Sequence, residues 1–519
     1  MYQINYDSPV HVHFIGIGGI SMSGLAAVLL HRHFTVTGSD ARKSELTQWL
    51  EQLGAKVAVP QSADNITDDI DVVVYTAAIH PDNPEYAEAV ARQIPMLSRA
   101  ELLGQLMNNY ELSVAVAGTH GKTTTTSMLS HIMMHAELDP TISVGGILHS
   151  IGGNVRIGTS DYFLTEACEY TNSFLHLTPK IGIVLNIDAD HLDFFKDLDD
   201  IRHSFRRFAE RIPADGTLVM NAAVPNLSDL TDGLACQVVT FGVGEGDYRA
   251  EQVTYDENGF ASFELVRTRK PALHIRSTAP QSDDASCCQS TASHLAADSS
   301  ARDMVAPTDT ASRNGAAEIQ TEYTSAGTVL GSFRLSVPGE HNVANAAAAI
   351  AAADLLGVPA GVIADGLVSF TGTDRRFQKK GEIGGVTIID DYAHHPTEIR
   401  ATLHAAKKFP CREVWCVFQP HTYTRTKALM DEFADALSLA DHVVLAKIYP
   451  ARETDDLGIS SDNVREKLAA LGKDAYYLPT FDEIENFLLS HCVPGDMVIT
   501  MGAGDVVKIG EKLLGQTNR

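Results

Sequence analysis

The sequence predicts an α/β protein of three domains, each built around a largely parallel sheet. Three observations predict this. A chain of 519 residues is too long for one hydrophobic core. Short apolar runs of strand type alternate with helical stretches from end to end. Two strand-to-helix junctions, at 16–24 and 118–124, are rich in glycine and hydroxyl residues.

The first domain is expected over 1–108. His11-Val12-His13-Phe14-Ile15 reads as a strand, and Leu25 to Leu30 as the helix that follows the turn Gly16-Ile17-Gly18-Gly19-Ile20-Ser21-Met22-Ser23-Gly24. Glycine there lets backbone approach a diphosphate closely and lets the helix pack near the strand. The third glycine of a Gly-x-Gly-x-x-Gly pattern is replaced by Ser21. A second strand, Thr35 to Gly38, ends at Asp40, an acid suited to a ribose hydroxyl, and Val72 to Tyr75 reads as a further buried strand. The domain is expected to be Rossmann-like.

The second domain is expected over 109–370. Val114 to Ala117 is an apolar strand, followed by Gly118-Thr119-His120-Gly121-Lys122-Thr123-Thr124. Such a turn cradles a polyphosphate on backbone N–H groups, with lysine offsetting its charge and a threonine hydroxyl reaching magnesium. The common eight-residue loop would have glycine where Val116 stands, so this is a shorter variant of the P-loop type. In the helix after it, Met128, Leu129, Ile132 and Met133 form an apolar face and read as core. Strands at Asp161–Thr165 and Ile181–Leu185 run into Glu166 and into the polar stretch Asn186–His191. Ligands of open parallel sheets lie beyond such strand ends. Residues 268–326, poor in branched and aromatic side chains, read as a disordered insertion inside an enlarged hairpin loop between Ala261–Val266 and Ser332–Val337.

The third domain is expected over 371–519, again Rossmann-like. Its strands are Val386–Asp390, Val414–Phe418, His442–Ala446 and Met497–Thr500.

Composition narrows the function. Hydrophobic content of 44% with 20% charged residues is that of a globular protein, and the net charge of −26 argues against nucleic-acid or membrane-surface partners. Seven cysteines without regular spacing imply neither a disulfide framework nor a metal ligand set, and Cys287-Cys288 look incidental. The N-terminal residues lack the pattern of a secretory signal, and the apolar run Ala346–Ala353 is too short to cross a bilayer. A cytoplasmic protein without an obligate protein partner is expected.

Further segments carry a resemblance. Glu340-His341-Asn342-Val343-Ala344-Asn345 contains a His-Asn-x-x-Asn pattern. Asp390-Asp391-Tyr392-Ala393-His394-His395-Pro396-Thr397-Glu398 and Phe418-Gln419-Pro420-His421-Thr422-Tyr423-Thr424-Arg425 follow in order. With the two glycine turns, the chain resembles the Mur ligase family over nearly its whole length, the insertion excepted. The resemblance is most specific to the members that join L-alanine to UDP-N-acetylmuramate. It implies ATP-dependent amide formation through an acyl phosphate in peptidoglycan precursor synthesis, with ATP and magnesium required. The alternative within the family is a recycling ligase that attaches a preformed tripeptide to the same sugar nucleotide. A nicotinamide oxidoreductase would leave Lys122 and the third domain without a role, and a non-catalytic nucleotide switch would make no amide.

The resemblance implies residue roles. Gly16, Gly18, Gly19, Ser21, Met22, Ser23 and Asp40 would hold the UDP-sugar. Gly118 through Thr124, with His341, Asn342, Asn345, Arg376 and Asp391, would hold ATP. Asn342 could instead cap its helix. Lys122 would sit on the outer phosphates, where one charge pair at ~4 Å is worth roughly 4 kcal/mol. Of Arg375 and Arg376, one would meet the γ-phosphate. Thr123, Glu166 and His191 would ligate magnesium, although histidine is an unusual partner for that ion. Tyr392, His394, His421 and Arg425 would bind L-alanine. Thr422 stands where a basic residue is expected, which shifts carboxylate recognition toward Arg425 and Lys427. His191 and His394 are candidates for the base that deprotonates alanine, and that role stays unassigned.

Overall fold

A computed structural model of the chain describes residues 2–516 except 77, 193, 271–321, 452, 455 and 456. Its strands form three separate sheets, lying in chain order between His11 and Ser98, Leu112 and Pro338, and Gln378 and Met501.

The first sheet has five parallel strands in the order Lys56–Ala58, Thr35–Ser39, His11–Ile15, Val72–Tyr75, Met96–Ser98. The chain moves outward from the central strand in both directions. The order therefore reverses beside the carboxyl end of Ile15, where the glycine turn lies. Gly16 needs its φ of 83° there, and its N–H and that of Ile17 both donate to the Ser39 carbonyl at 2.9 Å.

Among the described residues the second sheet has ten strands, and Leu112–Ala117 sits between Tyr162–Ala167 and Ile181–Val184, parallel to both. All six of its residues are buried, as a parallel strand covered on both faces should be. The phosphate-loop turn thus leaves the sheet at a second reversal of strand order. Behind it the helix Lys122–His135 buries Met128, Leu129, Ile132 and Met133 completely. It packs against Ala360–Ser369 and the alanine-rich helix His341–Leu355. A Cβ on Gly366 would stand 2.6 Å from Ile132 Cα, so the two helices approach closer than any larger residue permits.

Phe260–Lys270 and Glu322–Pro338 pair antiparallel at the far edge of this sheet. They run longer than the sequence reading: 268–270 and 322–326, placed there in the insertion, are strand. Lys270 and Arg267 reach back to Asp354, which also accepts from Tyr248 Oη at 2.8 Å. That buried carboxylate gives the polar strand end a reason to stay ordered. The rest of the tract, with Cys287-Cys288, lies outside the described residues.

The third sheet is parallel except at one edge, in the order Gln378–Ile383, Val386–Asp391, Met497–Met501, Val414–Phe418, His442–Leu445, Asp474–Tyr477. Among the described residues no helix is long and apolar enough to cross a membrane.

Helix Arg99–Met107 seats the first domain on the second through Gly104, where a Cβ would fall 2.1 Å from the His176 carbonyl oxygen. Backbone cannot give way as a flexible side chain can. Gly104→Ala is expected to cost about 1–3 kcal/mol by overpacking, read as a lower denaturant midpoint at an unchanged slope; an unchanged midpoint contradicts this packing.

Candidate active site

The phosphate loop is held from beneath by the strand end that follows Ile181–Val184. Asn186 Oδ1 accepts from the His120 N–H at 2.8 Å, and its Nδ2 donates to the His120 carbonyl at 3.0 Å. Asp188 N–H donates to Thr119 Oγ1 at 2.9 Å. Gly121 precedes the helix with φ 84°, and a Cβ on it would meet Asn345 Oδ1 at 2.7 Å. The loop shape therefore requires glycine at that position for both conformation and space.

Lys122 Nζ donates to Glu169 Oε2 at 2.8 Å, to Glu169 Oε1 at 3.1 Å, and to the carbonyls of Gly118 at 2.5 Å and Thr119 at 3.1 Å. Burial works against its charge, yet the Glu169 carboxylate keeps its pKa above the ordinary lysine value. Thr123 Oγ1 donates to Glu166 Oε2 at 3.1 Å, and Glu166 Oε1 accepts from the Gly145 N–H at 2.6 Å. Thr123 and Glu166 thus bring two hard oxygen donors together, the chemistry magnesium prefers. His191 faces other acids instead: its Nε2 lies 3.7 Å from Glu169 Oε1 and 3.8 Å from Asp190 Oδ2. No group of three or more His, Cys, Asp or Glu side chains placed to hold a metal occurs among the described residues.

The third domain closes over this edge. The His120 ring lies 3.3 Å from Asp188 and 3.3 Å from Glu398 of the third domain. Burial opposes its charge, but the two carboxylates hold it up to about 9. Arg376 Nη1 is 3.7 Å from Glu398 Oε1. Arg375 turns away: it donates to Asp390 at 3.0 Å and to the Gly502 carbonyl at 2.6 Å, which leaves Arg376 as the arginine of the cleft. Both guanidinium groups lie over the Tyr392 ring, at 4.9 and 5.3 Å from its centre. Asp391 accepts from the N–H groups of Phe377 and Ala393. Burial pushes it up to about 6 against Arg376 and those donors.

Two cavities result. One of about 220 Å³ is lined by His120, Gly121 and Thr124, by His341, Asn342 and Asn345, and by Arg376, Asp391 and Glu398. The structure thus brings most of the residues assigned to ATP to one place. Asn342 does not cap its helix; its Nδ2 donates to the Pro338 carbonyl at 2.6 Å, and its Oδ1 accepts from Asn345. Burial, with Arg376 nearby, pushes His341 down to about 4. The other cavity, about 410 Å³, is lined by His191, His421 and Arg425 together with Tyr170, Asp190 and Glu453. Tyr392 and His394 are not in its lining; the His394 ring lies 5.8 Å from that of His421 and 5.4 Å from that of Tyr392. Burial lowers His394 to about 4, Glu398 opposing and Arg425 assisting, so it is a weak base at neutral pH. Lys427 is exposed and lies outside this lining.

At the first domain, Gly16, Gly18, Gly19 and Ser21 form the rim of the turn. Met22 and Ser23 are buried, and the Ser23 hydroxyl donates to the Ile20 carbonyl at 2.9 Å. Asp40 Oδ2 accepts from the Gly18 N–H at 2.9 Å, so this acid braces the turn. Sequence reasoning missed Glu169, Asp190 and Glu398 as partners, because acids are plentiful and pairing across domains leaves no spacing signal. It also missed Arg99, whose Nη1 donates to Ser21 Oγ at 3.2 Å and whose charge burial disfavours.

Comparison with known proteins matches three family models in order. The Mur ligase catalytic domain covers 11–111, the Mur ligase middle domain 116–281, and the Mur ligase glutamate ligase domain 375–504. The UDP-N-acetylmuramate–L-alanine ligase of Lachnospira eligens is 52% identical over 99% of this chain and 100% of its own. That of Agathobacter rectalis is 51% identical over the same shares. Among solved structures, the UDP-N-acetylmuramate-alanine ligase of Thermotoga maritima superposes with a TM-score of 0.72 at 28% identity, over 98% of both chains. A murein peptide ligase of Psychrobacter arcticus shares the fold, with a TM-score of 0.64 at 24% identity and 98% of both chains covered. On this evidence, taken with the three sheets and the cleft between them, the chain belongs to the Mur ligase family.

Proposed function

We propose that this chain is an ATP-dependent ligase that joins L-alanine to the lactyl carboxylate of UDP-N-acetylmuramate, giving UDP-N-acetylmuramoyl-L-alanine, ADP and phosphate. One observation carries the reading: the phosphate-loop residues His120, Gly121 and Thr124 line one cavity with third-domain Arg376, Asp391 and Glu398, in a chain about half identical, end to end, to relatives of that name. The same kinship favours a single alanine over a preformed tripeptide as acceptor. Such a reaction belongs to the first peptide-forming step of peptidoglycan precursors, and a cytoplasmic site suits its nucleotide substrates.

A carboxylate at neutral pH is a poor electrophile. One of its oxygens attacks the γ-phosphorus of ATP and ADP leaves. The amine then attacks the acyl carbon, phosphate leaves, and the amine loses its proton. This chain's residues align and neutralise rather than bond covalently. The UDP-sugar lies on the 16–21 turn, with Arg99 beside Ser21 as a cation near the diphosphate. ATP lies in the smaller cavity, its purine against Asn342 and Asn345, whose amides can donate and accept. Lys122 exchanges part of its contact with Glu169 for the outer phosphates, and Arg376 approaches them from the other side. Magnesium, held by Thr123 and Glu166, would offset triphosphate charge; His191, whose Nε2 faces Glu169 and Asp190, stands apart from that pair. Arg425 receives the alanine carboxylate in the larger cavity, its planar fork suiting a two-point contact. With domains of 1–108, 109–370 and 371–519, the sugar nucleotide lies on the first, and ATP and alanine lie between the second and the third.

The deciding assay supplies UDP-N-acetylmuramate, ATP and magnesium with single amino acids or the tripeptide. ADP release is expected with L-alanine, and intact ATP under that condition ends the proposal. Lys122→Ala is expected to lower turnover by at least about 10²-fold while UDP-sugar binding, read by calorimetry, survives. The charged His120 contributes its two carboxylate contacts fully below its ordinary pKa, and they are lost as pH rises through about 9. His120→Gln should therefore flatten the fall of melting temperature between pH 6.5 and 9.5; an unchanged slope contradicts the pairing.

A further inference from the structure

We propose that Asp190 is a positioning residue for the amino-acid substrate: it reaches from the second domain to fix the Arg425 guanidinium of the third in the orientation that receives the substrate's carboxylate. The inference rests on the reading of Arg425 as the carboxylate site.

The contact is specific in shape. Arg425 Nε and Nη2 both donate to one oxygen, Asp190 Oδ1, at 3.2 and 2.7 Å. The two side chains are 11% and 7% exposed, so the pair is shielded from water. A guanidinium has five N–H groups in a rigid plane. Asp190 takes the edge carrying Nε and leaves the end formed by Nη1 and the outer Nη2 hydrogen. Nη1 lies 3.3 Å from His421 Nδ1, on the wall of the larger cavity. Nη1 carries a second hydrogen beside the one His421 can take, so this end can still offer a carboxylate two N–H groups.

Asp190 is itself held. Its Oδ1 accepts from the His191 N–H at 2.7 Å, and the neighbouring Ala189 carbonyl accepts from His395 Nε2 at 3.0 Å. The 189–191 loop is thus tied to the third domain at two consecutive residues. Arg425 is also the one Lys or Arg among the described residues lining the cavity. A single cation attracts a carboxylate without fixing its plane, because no second charge restrains rotation. The restraint here comes from Asp190, through the rigid guanidinium. Glu453 does not compete for Arg425, since it accepts from the N–H groups of Tyr423 and Thr424.

The two partners sit on different domains, so the seat is complete only when those domains are docked. Amino-acid affinity is therefore coupled to closure, as induced-fit assembly requires. The same loop carries His191, so whatever moves it moves the seat.

Asp190→Asn, nearly isosteric, and Asp190→Ala test this. Both should raise KM for L-alanine, by about tenfold or more for Ala, with KM for ATP and for UDP-N-acetylmuramate within about twofold and kcat at saturating alanine reduced far less than kcat/KM. Asp190→Glu should recover part of the loss. Arg425→Lys separates the layers: it should raise KM for L-alanine alone, and add little in an Asp190→Ala background. If Arg425→Lys leaves that KM unchanged, the carboxylate-site reading fails first. If Arg425→Lys raises it but the Asp190 variants do not, or they raise all three KM values together, Asp190 is structural and the inference is overturned. Melting curves and nucleotide binding on the Asn variant establish that the fold is intact.

Discussion

Lys122 carries a charge into a place that burial makes hostile to it, and Glu169 answers that cost with both carboxylate oxygens. An unpaired charge there would be worth several kcal/mol against the fold. The pairing holds the loop in shape before any nucleotide arrives and leaves it with a charge that a polyphosphate can share. Much of the surrounding architecture follows from that arrangement. The buried strand Leu112–Ala117 delivers the loop, Asn186 clasps its backbone, and the buried alanine-rich helix brings Asn345 against Gly121.

Domain closure is written largely in ionic contacts. His120 meets Glu398, Arg425 meets Asp190, and His395 meets the Ala189 carbonyl, all from the third domain to the second. The contacts between the first domain and the second are of another kind. A Cβ on Gly104 would strike the His176 backbone, one on Gly24 would strike Val155, and Asn154 donates to the Ile20 carbonyl. Close packing resists sliding, while pairs held by a few hydrogen bonds and charges can part and re-form. The geometry suits a stable seat for one substrate and a moving wall for the others.

Several elements were legible because local pattern alone specifies them. The parallel strands announced themselves as apolar runs, the helix after the phosphate loop by the spacing of Met128, Leu129, Ile132 and Met133, and the loop by its glycines and lysine. The acid after the second strand shows where local reading stops. Asp40 stands where a ribose partner belongs, and the fold also gives it the Gly18 N–H, a contact that local pattern does not contain. Ser23 looked like a ligand residue and spends its hydroxyl inside its own helix. The polar tract was taken to begin at 268, but Arg267 and Lys270 find Asp354 more than eighty positions onward, a partner that no window of sequence contains.

The order of residues by itself determined three α/β units, the phosphate loop, and a family resemblance that names a reaction. Those properties depend on neighbours along the chain: periodicity for strands and helices, glycine and lysine spacing for the loop. Tertiary structure decided which of two adjacent arginines enters the cleft, which acid holds the lysine, and how Arg425 is turned. These choices depend on groups tens to hundreds of residues apart meeting at van der Waals or hydrogen-bond distance. Coulomb and hydrogen-bond energies fall off over ångströms of space, whatever the separation along the chain.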